Sequence, residues 1–319
     1  MNSMRLTAII FSLALLCSCS GQFAGKSYLA SKNYDGCIEE MSRLSTEDPT
    51  NDTAAYYLGR CYLAKKVSEK SLPAFKKAVS LDPQNAEYHF WLAINYWVLA
   101  DFDKELQEYS KAIELKPDFL SAYLYMGHSY FDKGNWKKAI AYYDRVLKTD
   151  PYNPEALFNQ SEARWQLGER AELASTWKKY LDYYPDGVKG IRATNRLNAL
   201  GDFSYRNYLI GQRIMTLKTP EFKTERPDIT YESMASTAVI AAIMEEKKDI
   251  KINVVTFVNG NKELAKERSF EIRKQILAGH PDIKSSRILL SWFGGPNKVK
   301  TSEGIKTINE TVLFVTEAK

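Results

Sequence analysis

The sequence predicts a multidomain chain, an all-α helical repeat array over residues 19–200 followed by an α+β domain over residues 201–319. Three observations predict it. Pro49, Pro83, Pro117, Pro151 and Pro185 stand 34 residues apart, and Asp48, Asp82 and Asp150 precede three of them. Large and small apolar residues alternate at helical spacing between these prolines, most clearly in Leu120–Pro151. After Gly201 that period stops and short alternating runs take its place.

Composition narrows the function classes. The 319 residues accommodate about two domains, and 45% hydrophobic content is enough for buried cores, which excludes a largely disordered chain. Twenty Tyr and 14 Phe suit aromatic packing between paired helices. A net charge of +5 is spread along the chain, with no concentrated basic tract to suggest nucleic acid. His89, His128 and His280 are scattered, which argues against a His-based metal site or catalytic triad. Phosphate-cradling loops, C-x-x-C pairs, H-E-x-x-H and G-x-S-x-G are absent from the sequence. The acid pairs Glu39-Glu40 and Glu245-Glu246 fall in polar helical stretches and read as solvated faces. No enzyme, cofactor or metal is expected.

Residues 1–20 begin with one Arg, continue as the apolar run Thr7–Leu16 and end in small residues. That run is too short to span a bilayer, so residues 1–18 read as a signal peptide. Leu16-Cys17-Ser18-Cys19 resembles a bacterial lipobox. The resemblance implies lipidation of Cys19, with Ser18 as the small residue before the cut; ordinary signal-peptidase cleavage to a soluble periplasmic protein is the alternative. Ser20 stands where an inner-membrane retention Asp would be, so the resemblance implies the outer membrane of a Gram-negative cell. Cys37 and Cys61 remain downstream, either as two small buried hydrophobes or as a disulfide between neighbouring repeats.

A 34-residue period ending in Pro is the tetratricopeptide signature of two antiparallel helices per repeat. The resemblance covers about five repeats. The first, near Gln22–Pro49, is truncated; the second carries Leu58-Gly59, Tyr62, Phe75 and Ala78; the third carries Leu92-Ala93, Tyr96, Tyr109 and Ala112. The fourth, with Met126-Gly127, Tyr130, Ala139 and Tyr143, is the clearest copy. The fifth keeps Trp177, Tyr180 and Pro185, and Ile191–Leu200 reads as a capping helix. The resemblance implies a superhelix whose first helices line a concave side. Tyr56, Phe90, Leu124 and Phe158 fill the fifth position there, and Leu63, Trp97, Phe131 and Trp165 the twelfth. Such columns form either an apolar groove for a helix or extended segment of a partner protein, or a seam in which the side chains cover one another. The Lys/Asn clamp of chaperone-binding tetratricopeptide domains is missing.

Beyond Gly201, Gln212–Lys218 reads as a strand, Asp228–Glu246 as a helix, Ile250–Val258 as a strand and Asn261–Ala278 as a helix. Ser286–Phe293 and Thr311–Thr316 follow as strands, and Gly294–Ile305 reads as a flexible loop. This β-α-β-α-β-β order argues an α+β sandwich with helices on one face. Asn261-x-x-Leu264-Ala265-x-x-Arg268-Ser269 is similar to the N-x-x-L-S-x-x-R-A motif of OmpA-like peptidoglycan-binding domains. That resemblance, over Asn207–Glu317, implies that Arg268 holds the diaminopimelate carboxylate of a wall peptide. Asn259 is the nearest candidate for the family's ammonium-gripping Asp, and Asn261 opens the motif. The family's N-R-R-V stands here as Asn309-Glu310-Thr311-Val312, with both Arg replaced. Left unliganded, Arg268 would be an exposed helix residue paired with Glu267 or Glu271.

The combination implies an outer-membrane lipoprotein scaffold that recruits a protein in its groove and docks on peptidoglycan. It resembles envelope-complex lipoproteins that join these two modules, including components of the Bacteroidetes type IX secretion apparatus. The competing expectation is an envelope assembly factor whose last domain binds protein.

Overall fold

A computed structural model describes residues 22–301 and 304–316; the predicted leader and Cys19 lie outside them. The chain forms two compact units, Met1–Pro151 and Tyr152–Lys319.

The described part of the first unit is helical throughout. It comprises α1 (residues 22–30), α2 (Tyr34–Glu47), α3 (Asp52–Ala64), α4 (Ser68–Leu81), α5 (Ala86–Val98), α6 (Phe102–Leu115), α7 (Leu120–Asp132) and α8 (Trp136–Thr149). Odd and even helices pair as repeats, and Pro49, Pro83, Pro117 and Pro151 each open the turn that follows an even helix. Asn side chains start many of these helices. Asn33, Asn51, Asn85 and Asn135 accept from the amides of Gly36, Ala54, Glu87 and Lys138, satisfying first-turn donors that the helix leaves unpaired.

Within each repeat the first helix turns into the second through one left-handed residue. Lys32, Lys66, Ala100 and Gly134 occupy this place at φ 57°, 62°, 59° and 71°, and Gly168 repeats it in the second unit at 72°. Only Gly adopts this conformation freely, so the turn is imposed on Lys and Ala by the packing of the helices it joins. That packing sets aromatic rings against small residues. A Cβ on Gly59 would lie 2.8 Å from the Phe75 ring, and one on Gly127 would lie 2.6 Å from Tyr143. Phe75, Tyr109 and Tyr143 are all completely buried.

A disulfide joins Cys37 of α2 to Cys61 of α3, with Cα atoms 6.3 Å apart. It sits in the core formed with Met41, Tyr57 and Phe75.

The second unit opens with α9 (Pro154–Leu167), α10 (Leu173–Tyr183) and α11 (Gly187–Ala199). It continues through β1 (Tyr205–Ile210), β2 (Arg213–Lys218), α12 (Met234–Glu246), β3 (Ile252–Val258), α13 (Lys262–Leu277), β4 (Ile288–Phe293), β5 (Asn297–Thr301), β6 (Gly304–Ile308) and β7 (Glu310–Thr316). The compact unit thus begins before residue 200, where the periodicity ends. Hydrogen bonds account for this: Asn207 of β1 donates to the Ile191 carbonyl of α11, and the Tyr205 hydroxyl donates to Asp182 of α10.

The main sheet is mixed, ordered β4-β3-β7, with β4 parallel and β7 antiparallel to β3. Alternate residues of β3, Ile252 and Val254, enter a core with Ile240 and Met244 of α12 and Ile272 and Ile276 of α13. Four expectations are corrected here. β1 was missed; it pairs with β2 through a two-residue turn in which Gly211 has φ 63°. The stretch expected as the loop Gly294–Ile305 contains strand instead over Asn297–Thr301 and from Gly304 on, because β5 and β6 pair antiparallel, with lysines along the strands giving it a polar look. The helix expected from Asp228 starts at Met234, since the Phe222–Ile229 bridge and the Thr230 amide bond to Glu221 hold the preceding chain extended. The strand expected from Ser286 starts at Ile288, after a single helical turn at Ser285–Arg287.

Two measurements follow from this unit geometry. Cys37→Ser with Cys61→Ser, or reduction, should lower stability by about 3.5 kcal/mol, the loop-closure value for a crosslink of this separation; an unchanged denaturation midpoint would contradict the bridge. Ala100→Gly should stabilise the fold by about 1 kcal/mol by relieving the left-handed turn, read as a rise in the same midpoint.

Candidate functional site

Two surfaces carry the residues singled out by the sequence. The first lies on the odd helices of the repeats. The fifth-position column is not an open apolar strip. Tyr56 and Phe90 in the first unit and Phe158 in the second are buried. Tyr56 stacks on Tyr88, with centroids 4.9 Å apart; Phe90 packs on Phe119 at 5.0 Å; Phe158 meets Trp177 and Tyr180. The physical reason is the neighbouring structure: Tyr88 and Phe119 come from the start of the following repeat, and Trp177 and Tyr180 from the second helix of the same repeat. Leu63, Leu124 and Phe131 are half-buried. Trp165 is flanked by the guanidinium groups of Arg170 and Arg196, each 4.4 Å from its ring. Trp97 alone of the eight is open, half exposed beside the exposed Val98.

The first unit instead presents a mixed charged and aromatic patch. Arg60 stacks 3.5 Å from the Trp91 ring centroid and donates to the Tyr56 hydroxyl, which donates in turn to Glu87 at 2.5 Å. Glu87 and Trp91 line a cleft of about 780 Å³ with Asp82, Phe90, Lys116 and Phe119. A cleft with carboxylates, a lysine and aromatic walls can hold both the backbone and the side chains of a peptide. Sequence reasoning missed Arg60 and Glu87. They stand four residues after and three residues before a fifth-position residue, which puts them on its helix face, so extending each column by helical neighbours would have found them.

His89 braces the same region. Its Nδ1 is 2.6 Å from Glu108 of α6 and its Nε2 is 3.1 Å from the Pro83 carbonyl. Burial opposes charge on the ring, but the bonds to Glu108 and Pro83 outweigh both burial and the nearby Lys111, and the pKa rises above its ordinary value.

The second surface lies in the second unit. Arg268 of α13 is buried, with 2% of its side chain exposed. Its Nη1 donates to Glu310 of β7 at 2.6 Å, its Nε donates to the Arg226 carbonyl at 3.1 Å, and its guanidinium lies 4.6 Å from the Phe222 ring centroid. The expected surface pairing with Glu267 or Glu271 does not form; Glu271 bonds Lys274 and Gln275. The side chain of Asn261 accepts from the Leu264 amide and caps α13. Asn259 is tied by its backbone and side-chain amides to Asn309. Of the three residues expected to grip a wall peptide, only Arg268 lines the adjacent cleft of about 740 Å³, together with Glu310, Asn309, Thr256, Thr311 and Ser204. Among the described residues no group of three or more His, Cys, Asp or Glu could hold a metal ion, and no helix is long and apolar enough to cross a membrane.

With this geometry in hand, comparisons define the helical part. Tetratricopeptide repeat family models match residues 24–85, 67–118 and 121–153. These segments are tetratricopeptide repeats. Among solved structures, the chain is similar to PilW, a widely conserved type IV pilus biogenesis factor, at 20% identity over 57% of this chain and 85% of that one, with a TM-score of 0.51. It is similar to pilF of Pseudomonas aeruginosa at 13% identity, over 58% and 84%, with a TM-score of 0.53. YrrB, a tetratricopeptide protein with an unusual peptide-binding site, aligns at 18% identity over 55% and 90%, with a TM-score of 0.47. For PilW and pilF the likeness, at these identities, is one of fold. No curated protein matches the sequence. Tetratricopeptide arrays mediate protein–protein interaction, and the array here presents a face on which a protein partner can bind.

A pH titration tests the His89 brace. A raised folded pKa means that the stabilisation is complete below the unfolded His value of about 6.5 and is lost as pH rises through the folded value. His89→Gln should therefore destabilise by about 2 kcal/mol at pH 6 and by much less at pH 9, measured as denaturant midpoints; equal losses at both would remove the ionic contribution.

Proposed function

We propose that this chain is a lipid-anchored scaffold of the bacterial envelope, with no catalytic step of its own. Cys19 would hold its amino-terminal end at the outer membrane. The tetratricopeptide face around Arg60, Glu87, Trp91 and Trp97 would recruit a protein partner, and the α+β domain, OmpA-like in its helix motif, would dock on peptidoglycan through Arg268. The observation that carries the reading is the Cys37–Cys61 disulfide inside the repeat core, because such bonds persist in oxidising, exported compartments. It agrees with the leader-like amino terminus and with the lipobox resemblance. A place in a secretion apparatus would follow from the same pairing of modules.

One observation favours a second reading. Arg268 already has a carboxylate partner in Glu310, which suits a domain retained for protein contacts in an envelope assembly factor.

Fractionation and sedimentation together test the proposal. The native chain should partition with membranes and pellet with isolated peptidoglycan. Cys19→Ala should move it to the soluble fraction, and Arg268→Ala should leave it in the supernatant. Membrane retention of the Cys19 variant would remove the anchor, and a native chain that never pellets would hand the second domain to the assembly-factor reading.

A further inference from the structure

The cleft beside Arg268 holds a contradiction. Its strongest hydrogen-bond donor is occupied, yet much of its polar wall is not. Thr256 and Thr311 are 1% and 6% exposed, and their hydroxyls have no hydrogen-bond partner among the described residues; the Ser204 hydroxyl is likewise buried and unpartnered. Buried polar atoms left unpaired are rare in folded proteins; Thr256 stands opposite Val312 on the face of the sheet that α13 covers, whereas Thr311 stands opposite Phe257 on the other face, so of the two threonines only Thr256 is on the Arg268 side.

The ion pair that fills Arg268 is asymmetric. Arg268 is fixed from two sides, by its Nε bond to the Arg226 carbonyl and by the Phe222 ring, and has almost no contact with solvent. The Glu310 side chain is 57% exposed at the first residue of β7, and it reaches the guanidinium through one oxygen only. Glu310 can therefore swing into water without moving the backbone, whereas Arg268 cannot leave. A carboxylate arriving through the cleft can meet the guanidinium with both oxygens, a stronger arrangement than the single bond it displaces.

We infer that Glu310 is an intramolecular latch, a built-in carboxylate that keeps the cleft closed to weak anions until a ligand carboxylate with further groups for the Thr256 and Ser204 hydroxyls displaces it. The inference rests on the wall-docking reading for the ligand's identity. Its consequence is selectivity: an anion that offers only charge gains nothing over Glu310, while a ligand that also bonds Thr256 and Ser204 does.

The test titrates the full chain with meso-diaminopimelate by calorimetry, using the native protein, Glu310→Gln, Glu310→Asp and the double variant Glu310→Gln/Arg268→Lys. Gln keeps an acceptor for the guanidinium, and Asp keeps the charge while shortening its reach, so at least one should fold; thermal melts identify which. Either single variant should bind at least tenfold more tightly than the native chain, and the double variant should lose that gain. Equal affinity in the native chain and the folded single variants, an undiminished gain in the double variant, or binding by none would overturn the latch. Peptidoglycan sedimentation of the same proteins separates the two ideas. Diaminopimelate binding without pelleting would keep the latch and remove wall docking, whereas equal pelleting by all single variants and the native chain would keep docking and remove the latch.

Discussion

The helical half of this protein depends on one steric fit repeated at a fixed interval. An aromatic ring on the second helix of each repeat, Phe75, Tyr109 or Tyr143, enters the space left by a small residue on the first, Gly59, Ala93 or Gly127. Because the ring has no slack, the two helices meet in one register, and the turn between them must close in whatever conformation that register demands. The left-handed turn at Lys66 and Ala100 is the visible result. Backbone strain at these residues is sustained by aromatic burial a full helix away, which is how a local rule is overridden by a tertiary one.

Polar contacts then select which repeat sits on which. Tyr88 donates to Asp52, Asn95 to Ser71 and Ser68, and Ser129 to Glu105, each joining one repeat to the next. These groups are buried or half-buried, so a wrong pairing would leave them without partners. The apolar fit supplies most of the stability, and the polar bridges remove the alternatives.

How much of this could be read from the residues depended on distance along the chain. The repeats were legible because five prolines and four aromatic positions share one interval, and each repeat is solved locally. Whether the fifth-position column forms an open groove or a covered seam was not legible, for the same reason. Position within a repeat says nothing about whether the neighbouring helix covers a ring, and Tyr56 and Phe90 are covered by residues of the following repeat. In the α+β domain, the helix motif located Arg268 but not its partner, since Glu310 lies 42 residues away on a strand whose place beside β3 is decided by the whole sheet. The β1–β2 hairpin had a local signal in Gly211, and the β5–β6 hairpin hid behind its lysines.

The Cys37–Cys61 bridge also has a mechanical meaning. Tension entering from the amino-terminal side and drawn through the repeats reaches the sulfur–sulfur bond before it reaches the chain between the two cysteines. Residues 38–60 are thereby excluded from extension, and about 80 Å of contour length cannot be pulled out while the bond is intact. The junction between the first and second helix pairs becomes a strain-relief joint, and a load is handed to the later repeats without peeling the first from the second.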